Sequence, residues 1–374
     1  MQQAGHISID FSTNGGDFQN LFLGDHPAIF QNAYFAFADP LISVQVMPST
    51  ALSSKNKPGF KQEGNGVFDT LIDRFCAEAY GHLYDPNCPK DGDRVDAFTG
   101  FYGKIKEKGK DKSKYYKPSV DKRLLTRVGI NRRRAVSEEQ ILYSIEVMNE
   151  SKPKKIEPSI YRSSIYIKDD NLAADLQQFI HKNSRHFRFG GSASRGLGKT
   201  EITATLAKQT KSDLAQRVNE FNQRLTKRWQ DWQIFGKPQE DITNNRKFFT
   251  LDLQSDAILT DQWRRTTVIS ETMLKQFTGI ADPSLKLHVA YSSYDYRSGW
   301  NAAWGLMKDV ELVTNRGGVY LFSVEVNEKG DRFAEWLEAL ELLGISGIGD
   351  RPSEGFGQVQ VCNDFHLVLR EEAV

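Results

Sequence analysis

The sequence predicts an α+β fold with two halves, each with the order strand, helix, two strands, helix, strand. Segments that alternate apolar and polar residues lie between segments with helical spacing, and this order recurs after residue 245. Each half also ends with a glycine-rich stretch and then a short strand. With 374 residues, 39% hydrophobic and 26% charged, the chain can form two domains that each bury a core.

The first half follows this order with one basic interruption. Alternation of apolar and polar residues predicts strands at 6–11, 124–130, 140–148, 160–167 and 202–206. Helical spacing of apolar residues predicts helices over 66–80 and 172–180. The segments 124–130 and 140–148 are expected to pair as a hairpin. Lysine recurs through 104–122 without apolar periodicity, which predicts a flexible basic loop.

The second half repeats the order after a charged helical segment at 212–232. Strands are predicted at 248–253, 285–291, 319–326 and 358–361, and helices at 271–277 and 333–343. The sequence therefore predicts two ferredoxin-like, RRM-type domains in tandem. Their predicted bounds are 1–210, with a basic insertion at about 85–122, and 245–374, joined by a helical linker at 211–244.

Composition excludes some classes of protein and leaves others open. No stretch approaches the ~18 consecutive apolar residues of a membrane span, and the N-terminus lacks a basic and then apolar leader, so we expect a cytoplasmic protein. The odd set Cys76, Cys88 and Cys362 argues against a disulfide framework. The net charge is only +1, so binding to nucleic acid has to come from local basic patches.

The two glycine-rich stretches, 189–199 and 347–357, occupy equivalent places in the two halves. Glycine lets backbone amides approach phosphates or base edges closely, because it adopts positive φ and has no side chain in the way. Two ordinary tight turns are the alternative, and the repeat in position counts against it.

Residues 193–200 also satisfy a relaxed Walker A pattern, but a nucleotide hydrolase is not favoured. A phosphate-binding loop leads into a helix, whereas residues 201–206 alternate and are rich in threonine, as a strand would be. Ala193 also stands where the first glycine of the motif belongs.

Basic residues concentrate near the glycine-rich stretches and in the central part of the first half, besides the lysine-rich segment: Arg127, Arg132, Arg133, Arg134, Arg185, Arg188, Arg195 and Lys199. Arginine forks onto phosphates and stacks on bases, so arginine interleaved with Phe187 and Phe189 suits single-stranded RNA. A solvated surface is the alternative.

Metal and catalytic signals are weak. Cys76, His82 and Cys88 have metal-ligand spacing, but a closed zinc site needs four ligands and Asp85 or Asp91 would be poor substitutes, so no metal and no cofactor are predicted. The seven histidines form no catalytic pattern. Asp25, in Gly-Asp-His-Pro, is a candidate acid near a scissile phosphate, although such an aspartate more often caps a turn.

Several stretches together resemble the RAMP superfamily. These are Leu-Thr-Arg-Val-Gly-Ile-Asn-Arg-Arg at 125–133, Gln-Ile-Leu-Tyr-Ser-Ile-Glu at 140–146, Ser-Arg-Gly-Leu-Gly at 194–198 and the glycine-rich stretch 349–357. Residues 299–301 and 316–320 are similar to the second half of the Csx-ten subgroup, found in type III-D CRISPR systems.

The resemblance implies a non-catalytic RNA-binding subunit of a type III effector complex in antiviral defence. Such a Cas-five-like subunit holds the 5′ tag of the guide RNA beside the large polymerase-like subunit, with backbone RAMP subunits and target RNA as further partners. The RNA-facing residues carried over by motif and by the basic patch are Arg127, Asn131, Arg132, Arg133, Gly190, Gly191, Ser194, Arg195, Gly196, Gly198, Lys199, Gly355, Phe356 and Gly357.

Two enzymatic alternatives stay open at this point. A backbone-type RAMP subunit would cut target RNA with Asp25 and a divalent metal. A processing endonuclease would trim the guide precursor by general acid and base chemistry without metal, but no histidine is nominated for that role.

Overall fold

A computed structural model of the chain describes residues 16–37, 44–106, 113–131, 133–134, 136–152, 155–208, 213–238, 240–301, 304–326 and 331–374. Within these residues the fold is a mixture of helices and strands, as predicted, and no helix is long and apolar enough to cross a membrane. The described α-helices are α1 Gly16–Phe22, α2 Leu71–Ala79, α3 Asp170–Lys182, α4 Leu214–Trp232, α5 Glu271–Thr278 and α6 Asp331–Ser346.

The strands of the first part of the chain, in order, are β1 Ile29–Phe30, β2 Tyr34–Ala36, β3 Val44–Val46, β4 Ala51–Ser54, β5 Val67–Asp69, β6 Val95–Ala97, β7 Phe101–Lys106, β8 Ser113–Tyr116, β9 Lys122–Asn131, β10 Val136–Met148, β11 Ser151–Lys152, β12 Lys155–Pro158, β13 Ile160–Arg162 and β14 Ile165–Tyr166. Those of the second part are β15 Arg246–Leu253, β16 Leu259–Asp261, β17 Arg264–Thr266, β18 Lys286–Tyr291, β19 Tyr294–Arg297, β20 Trp300–Asn301, β21 Leu306–Met307, β22 Glu311–Thr314, β23 Val319–Glu325 and β24 Val359–Val361.

The chain divides into two compact units, each assembled from several segments. Unit one contains the described residues within 1–32, 71–84 and 164–367, and unit two those within 33–70, 85–163 and 368–374. The predicted domain bounds near residues 210 and 245 stay a prediction.

Unit one is built around a four-stranded antiparallel sheet in the order β18-β23-β15-β24. The strands and the helices α5 and α6 follow one another along the chain in the split βαβ order predicted for the second half. Apolar side chains of the central strands, such as Phe249 and Phe322, are fully buried and form the core with Trp336 of α6.

Helix α4 belongs to the core of unit one. Val218, Phe221, Leu225 and Trp229 recur at helical spacing and are at most 2% exposed, and the helix contacts β15 and α2. The Asn222 side chain makes two hydrogen bonds of 2.8 Å with the backbone of Phe248. Its Nδ2 donates to the Phe248 carbonyl, and its Oδ1 accepts from the Phe248 N–H. The buried amide therefore satisfies a backbone pair that would otherwise lose its partners.

Unit two consists of small antiparallel sheets, with strand orders β5-β4-β6 and β3-β7-β8, and the long hairpin β9–β10. The hairpin was predicted, and its register shifts between Ser137 and Leu142. Leu124 and Leu142 on it are 70% and 71% exposed. No sheet with the ferredoxin-like strand order is seen in the described part of the first half, so the tandem arrangement stays a prediction.

Several predictions for the first half need correction. The helix predicted over 66–80 begins only at Leu71, because Val67 and Phe68 are buried in β5, which pairs with β4. The predicted strand 160–167 is split into β13 and β14. Residues 202–206 form neither a strand nor a helix, although Ile202 and Ala204 pack against the α3 cluster as the alternation predicts. The strand predicted at 6–11 lies outside the described residues.

Part of the predicted basic loop is a hairpin. Residues 101–106 and 113–116 form the paired strands β7 and β8, and residues 107–112 lie outside the described part. Tyr102 and Tyr115 are 1% and 6% exposed, and the Tyr115 ring stacks on Phe60 at 5.8 Å. The buried tyrosines hold this lysine-rich segment on unit two.

Candidate nucleic-acid interface

The two glycine-rich stretches, named loop one (residues 189–198) and loop two (residues 348–357), adopt the same backbone conformation. Each contains a left-handed glycine, then a left-handed non-glycine residue, a short 3₁₀ turn and two further left-handed glycines. The φ angles of equivalent residues are 82° and 76° for Gly190 and Gly349, 59° for both Ser192 and Arg351, 85° and 92° for Gly196 and Gly355, and 74° and 68° for Gly198 and Gly357. The 3₁₀ turns are Ala193–Arg195 and Pro352–Glu354.

The last glycine closes each loop. Phe189 N–H donates to the Gly198 carbonyl at 2.9 Å, and Ile348 N–H donates to the Gly357 carbonyl at the same distance. A Cβ on Gly198 would overlap the Phe189 carbonyl oxygen, and one on Gly357 would overlap that of Ile348. Only glycine fits this position, because the two ends of the loop approach too closely for a side chain and φ is positive.

Loop one is open on its outer side. No atom lies within 4 Å of a Cβ built on Gly190, Gly191 or Gly196, and all three glycines are exposed. Ser194 and Arg195 are exposed as well. The backbone at these positions is therefore accessible to a ligand, as the interface prediction requires.

Loop two is covered by the segment that follows α1. A Cβ on Gly355 would lie 2.9 Å from the Phe30 carbonyl oxygen, and the Asn32 side-chain amide donates to the Gly355 carbonyl at 3.1 Å. Gly355 and Gly357 are buried, and Phe356 is half-buried with the Arg351 guanidinium 5.3 Å from its ring centre. Their assignment to the RNA interface stays a prediction.

The two loops also differ in charge. Residues 185–200 contain four basic residues, Arg185, Arg188, Arg195 and Lys199, and no acidic one. All four side chains are exposed, and Arg185 lies 3.3 Å from Glu201. A cluster of exposed cations beside an open, glycine-rich backbone attracts a phosphate chain.

Loop two takes part in a network of ion pairs within unit one. Asp350 accepts from Arg265 at 2.5 Å, and Arg265 also contacts Glu311 at 2.7 Å. Arg351 pairs with Glu354 at 2.5 Å, and hydrogen bonding from Arg351 lowers the pKa of the Glu354 carboxyl. These contacts fix loop two to β16–β17 and β22, so its charges are already matched by other residues of the unit.

The predicted residues of the β9–β10 hairpin belong to unit two. Arg127 is partly exposed on β9 and Arg133 is exposed in the turn. The backbone of Asn131 ends β9, and Arg132 lies outside the described residues. The sequence resemblance thus nominates residues in both units.

The candidate metal ligands are not drawn together as a cluster. Among the described residues no group of three or more His, Cys, Asp or Glu side chains is placed to hold a metal ion. Cys76 is fully buried in α2 and burial raises the pKa of its thiol, Cys88 is 2% exposed, and His82 is exposed. The Asp25 side chain is exposed.

Sequence reasoning missed the aromatic side chains that unit one exposes. Trp263, in the turn between β16 and β17, is 99% exposed, and Tyr294, Tyr296, Trp300 and Trp304 are 61–78% exposed. The available signal was a tryptophan whose neighbours over 260–266 are all polar or charged.

Comparison with known proteins identifies a family for part of the chain. The model described as the RAMP superfamily matches residues 49–201, a range that contains the β9–β10 hairpin and the whole of loop one. The resemblance to the RAMP superfamily that was inferred from the sequence is therefore confirmed over this range. No curated protein matches the chain.

Solved structures give weaker similarities. A chain of the cryo-EM structure of Type III-B Cmr-beta bound to cognate target RNA and AMPPnP, state 1, is 11% identical, with 89% of this chain and 82% of that chain covered and a TM-score of 0.34. A chain of Type III-B Cmr-beta bound to cognate target RNA is 9% identical, with 83% and 73% covered and a TM-score of 0.30. TM-scores this low do not establish a shared fold.

Proposed function

We propose that this chain is a non-catalytic RNA-binding subunit of a type III CRISPR effector complex, and that loop one holds the guide RNA. The observation that carries the proposal is the contrast between the loops. They have one backbone conformation, but loop one is open and surrounded by exposed cations, whereas loop two is covered by Phe30 and Asn32 and contains the acidic residues Asp350 and Glu354.

The chemistry of loop one suits a polynucleotide backbone. Gly190, Ser192, Gly196 and Gly198 have left-handed φ, and turns that combine left-handed and right-handed residues form concavities that bind anions. Arg188, Arg195 and Lys199 are exposed around it. Phosphate contacts of this type position RNA without reading its sequence, which is what a subunit that accepts many guides requires.

The finer assignment rests on the sequence resemblance. It is a type III-D subunit similar to the Csx-ten group, which would hold the 5′ tag of the guide beside the large polymerase-like subunit and the backbone subunits. In this assignment Arg127, Asn131, Arg132 and Arg133 give a second set of RNA contacts. The two tandem ferredoxin-like domains stay part of this assignment, and both sets of contacts lie in the first of them, residues 1–210.

Gly191 gives a sharp test, because its φ is not in the left-handed region and a side chain would point into open space. Gly191→Glu adds a negative charge to loop one and Gly191→Gln adds a side chain of the same size without charge. Both variants should fold as the wild type does. We expect Gly191→Glu to weaken binding of a short single-stranded RNA several-fold, with the loss shrinking as salt is raised.

Equal affinities of the two Gly191 variants for RNA would exclude loop one as a phosphate-binding surface. In the assembled complex, joint substitution of Arg195 and Arg132 by alanine should release guide RNA or prevent assembly. A purified complex of that variant with unchanged RNA content would contradict the proposal.

The non-catalytic part of the proposal has its own test. Asp25→Asn in the assembled complex should leave every target-RNA cleavage position intact, since the exposed Asp25 is assigned no chemical role. Loss of one cleavage position with intact assembly would instead assign this subunit a metal-assisted cut.

A further inference from the structure

Trp263 is placed at the tip of a hairpin in unit one with almost no protein around it. Strands β16 and β17 pair with Asp261 opposite Arg264, so Gln262 and Trp263 form a two-residue turn. The Trp263 side chain is 99% exposed. A large aromatic ring in water loses the free energy that its burial would give.

The backbone of this turn is also unfavourable for its residues. Gln262 has φ 45° and Trp263 has φ 68°, the left-handed conformation that two-residue hairpin turns require and that Asn-Gly normally supplies. Strained positions that hold bulky residues concentrate at functional sites. In the neighbouring hairpin β20–β21, by contrast, Gly305 takes the left-handed position, with φ 65°, next to the exposed Trp304.

The hairpin that carries Trp263 is fixed to unit one. Arg265, two residues along, makes the ion pairs with Asp350 and Glu311, and Thr260 Oγ1 donates to Asp350 Oδ2 at 2.9 Å. Asp261, on the same strand as Thr260, accepts a hydrogen bond from Ser270 Oγ at 3.3 Å. These contacts hold the hairpin in one position, so less conformational entropy is lost when the Trp263 ring contacts a ligand.

The surroundings of the ring favour a nucleobase over an apolar protein surface. Trp263 is the one large apolar residue within 260–266, where its neighbours are polar or charged. Protein hot spots are instead surrounded by contacts that exclude water. The next residue, Arg264, is exposed, and no salt bridge to it is present among the described residues. Exposed aromatic side chains that stack on bases, combined with cations that contact the phosphates, are typical of proteins that bind single-stranded nucleic acid, and here the two residue types are adjacent in sequence.

We propose that Trp263 stacks on an unpaired base of single-stranded RNA and that Arg264 contacts the adjacent phosphate. The choice of RNA rests on the proposed function, whereas loop one plays no part in the stacking contact. Bases in a duplex are already stacked on each other, so this site selects single-stranded RNA.

The test compares variants of the full chain for binding to a short single-stranded RNA of mixed sequence and to the same RNA annealed to its complement. Trp263→Ala should weaken single-strand binding about 5- to 160-fold, the range for loss of one base stack. Trp263→Phe should retain most of the affinity, because a phenyl ring still stacks. Trp304, an exposed tryptophan between β20 and β21, provides the matched control, and Trp304→Ala should bind the single strand as the wild type does. Binding to the duplex should not change in any of these variants.

The variant Trp263→Gly distinguishes a role of Trp263 in RNA binding from a role in the stability of the fold. Glycine accepts the left-handed φ, so this variant should be at least as stable to denaturant as the wild type and should still lose RNA affinity. A less stable Trp263→Gly, or a Trp263→Ala with wild-type affinity, would overturn the stacking proposal. So would a Trp263→Ala variant that keeps RNA but loses a protein subunit of the complex.

The outcomes also distinguish this proposal from the proposed function. If Gly191→Glu weakens RNA binding and Trp263→Ala does not, loop one stands and the stacking site fails. If Trp263→Ala weakens binding and the Gly191 variants are equal, the stacking site stands and loop one fails. A wild-type chain that binds no single-stranded RNA would overturn both.

Discussion

Alanine substitutions at two glycines of loop one should have different consequences, although both glycines have positive φ. Gly196 has φ 85°, and nothing lies within 4 Å of a Cβ built on it. Gly198 has φ 74°, and a Cβ built on it would overlap the Phe189 carbonyl oxygen. Gly196→Ala therefore carries only the backbone penalty. Gly198→Ala carries that penalty and also forces the two ends of the loop apart.

The magnitudes follow from these contacts. A left-handed alanine costs about 1 kcal/mol at either position. Separation of the loop ends breaks the 2.9 Å hydrogen bond from Phe189 N–H to the Gly198 carbonyl, a loss of about 1 kcal/mol. Residual overlap adds to this, so Gly198→Ala should cost roughly 2–4 kcal/mol of loop stability.

Hydrogen–deuterium exchange of peptides that cover 186–200 measures this difference directly. The Phe189 amide should exchange much faster in Gly198→Ala and little faster in Gly196→Ala, while peptides of β15 and β23 should be unchanged in both. Gly196→Ala keeps the loop closed, so its effect on RNA affinity reports on the outer surface alone. Equal exchange in the two variants would refute the assignment of Gly198 as the residue that closes the loop.

Three further predictions concern unit one. Arg228→Ala should lower the free energy of unfolding by about 3–5 kcal/mol in urea titration, since it leaves the fully buried Asp73 carboxylate without its ion-pair partner; the double variant Asp73→Asn, Arg228→Met should lose less. Burial beside Phe75 and Phe248 lowers the pKa of His288 to about 4 from 6.5, so the unfolded chain binds more protons between these pH values. The contribution of neutral His288 to the free energy of unfolding is therefore full above pH 6.5 and is lost as pH falls towards 4, by at most about 3 kcal/mol. His288→Asn should flatten the pH dependence of the free energy of unfolding in urea between these pH values. An unchanged pH dependence in the variant would contradict the prediction. Burial raises the pKa of Cys76 and raises that of Cys362 to about 12, so neither thiol should react with Ellman's reagent at pH 8 until denaturant is added.

The second half was predictable because its local patterns agree with its tertiary contacts. Phe248, Leu251 and Leu253 lie in a run of β-favouring residues and are buried in β15, and the helix predicted at 271–277 is found at Glu271–Thr278. Ser270 caps that helix through its hydroxyl, which accepts from Met273 N–H at 3.2 Å. Where cap, period and burial coincide, the sequence alone predicts the element and its bounds.

The first half was less predictable because its contacts join distant segments. Val67 has helical spacing to Leu71, but its N–H donates to the Val374 carbonyl at 2.8 Å and its carbonyl accepts from Val374 N–H at 2.9 Å. A residue some three hundred positions away decides the conformation there, and no local pattern encodes it. The contacts of Phe30 and Asn32 with Gly355 also join residues that are far apart in sequence.

The two loops show which part of the candidate site is encoded locally. Their shared conformation follows from glycines at three equivalent positions, Gly190 with Gly349, Gly196 with Gly355 and Gly198 with Gly357. The residues between them are free to differ, and they carry the charge: Gly191 and Arg195 in loop one stand where Asp350 and Glu354 stand in loop two. Because one backbone supports an open basic surface in one copy and a covered surface with acidic residues in the other, the glycines specify the turn and the intervening residues set its charge. Glycine content alone therefore could not assign the interface, and the side chains around each turn had to be placed first.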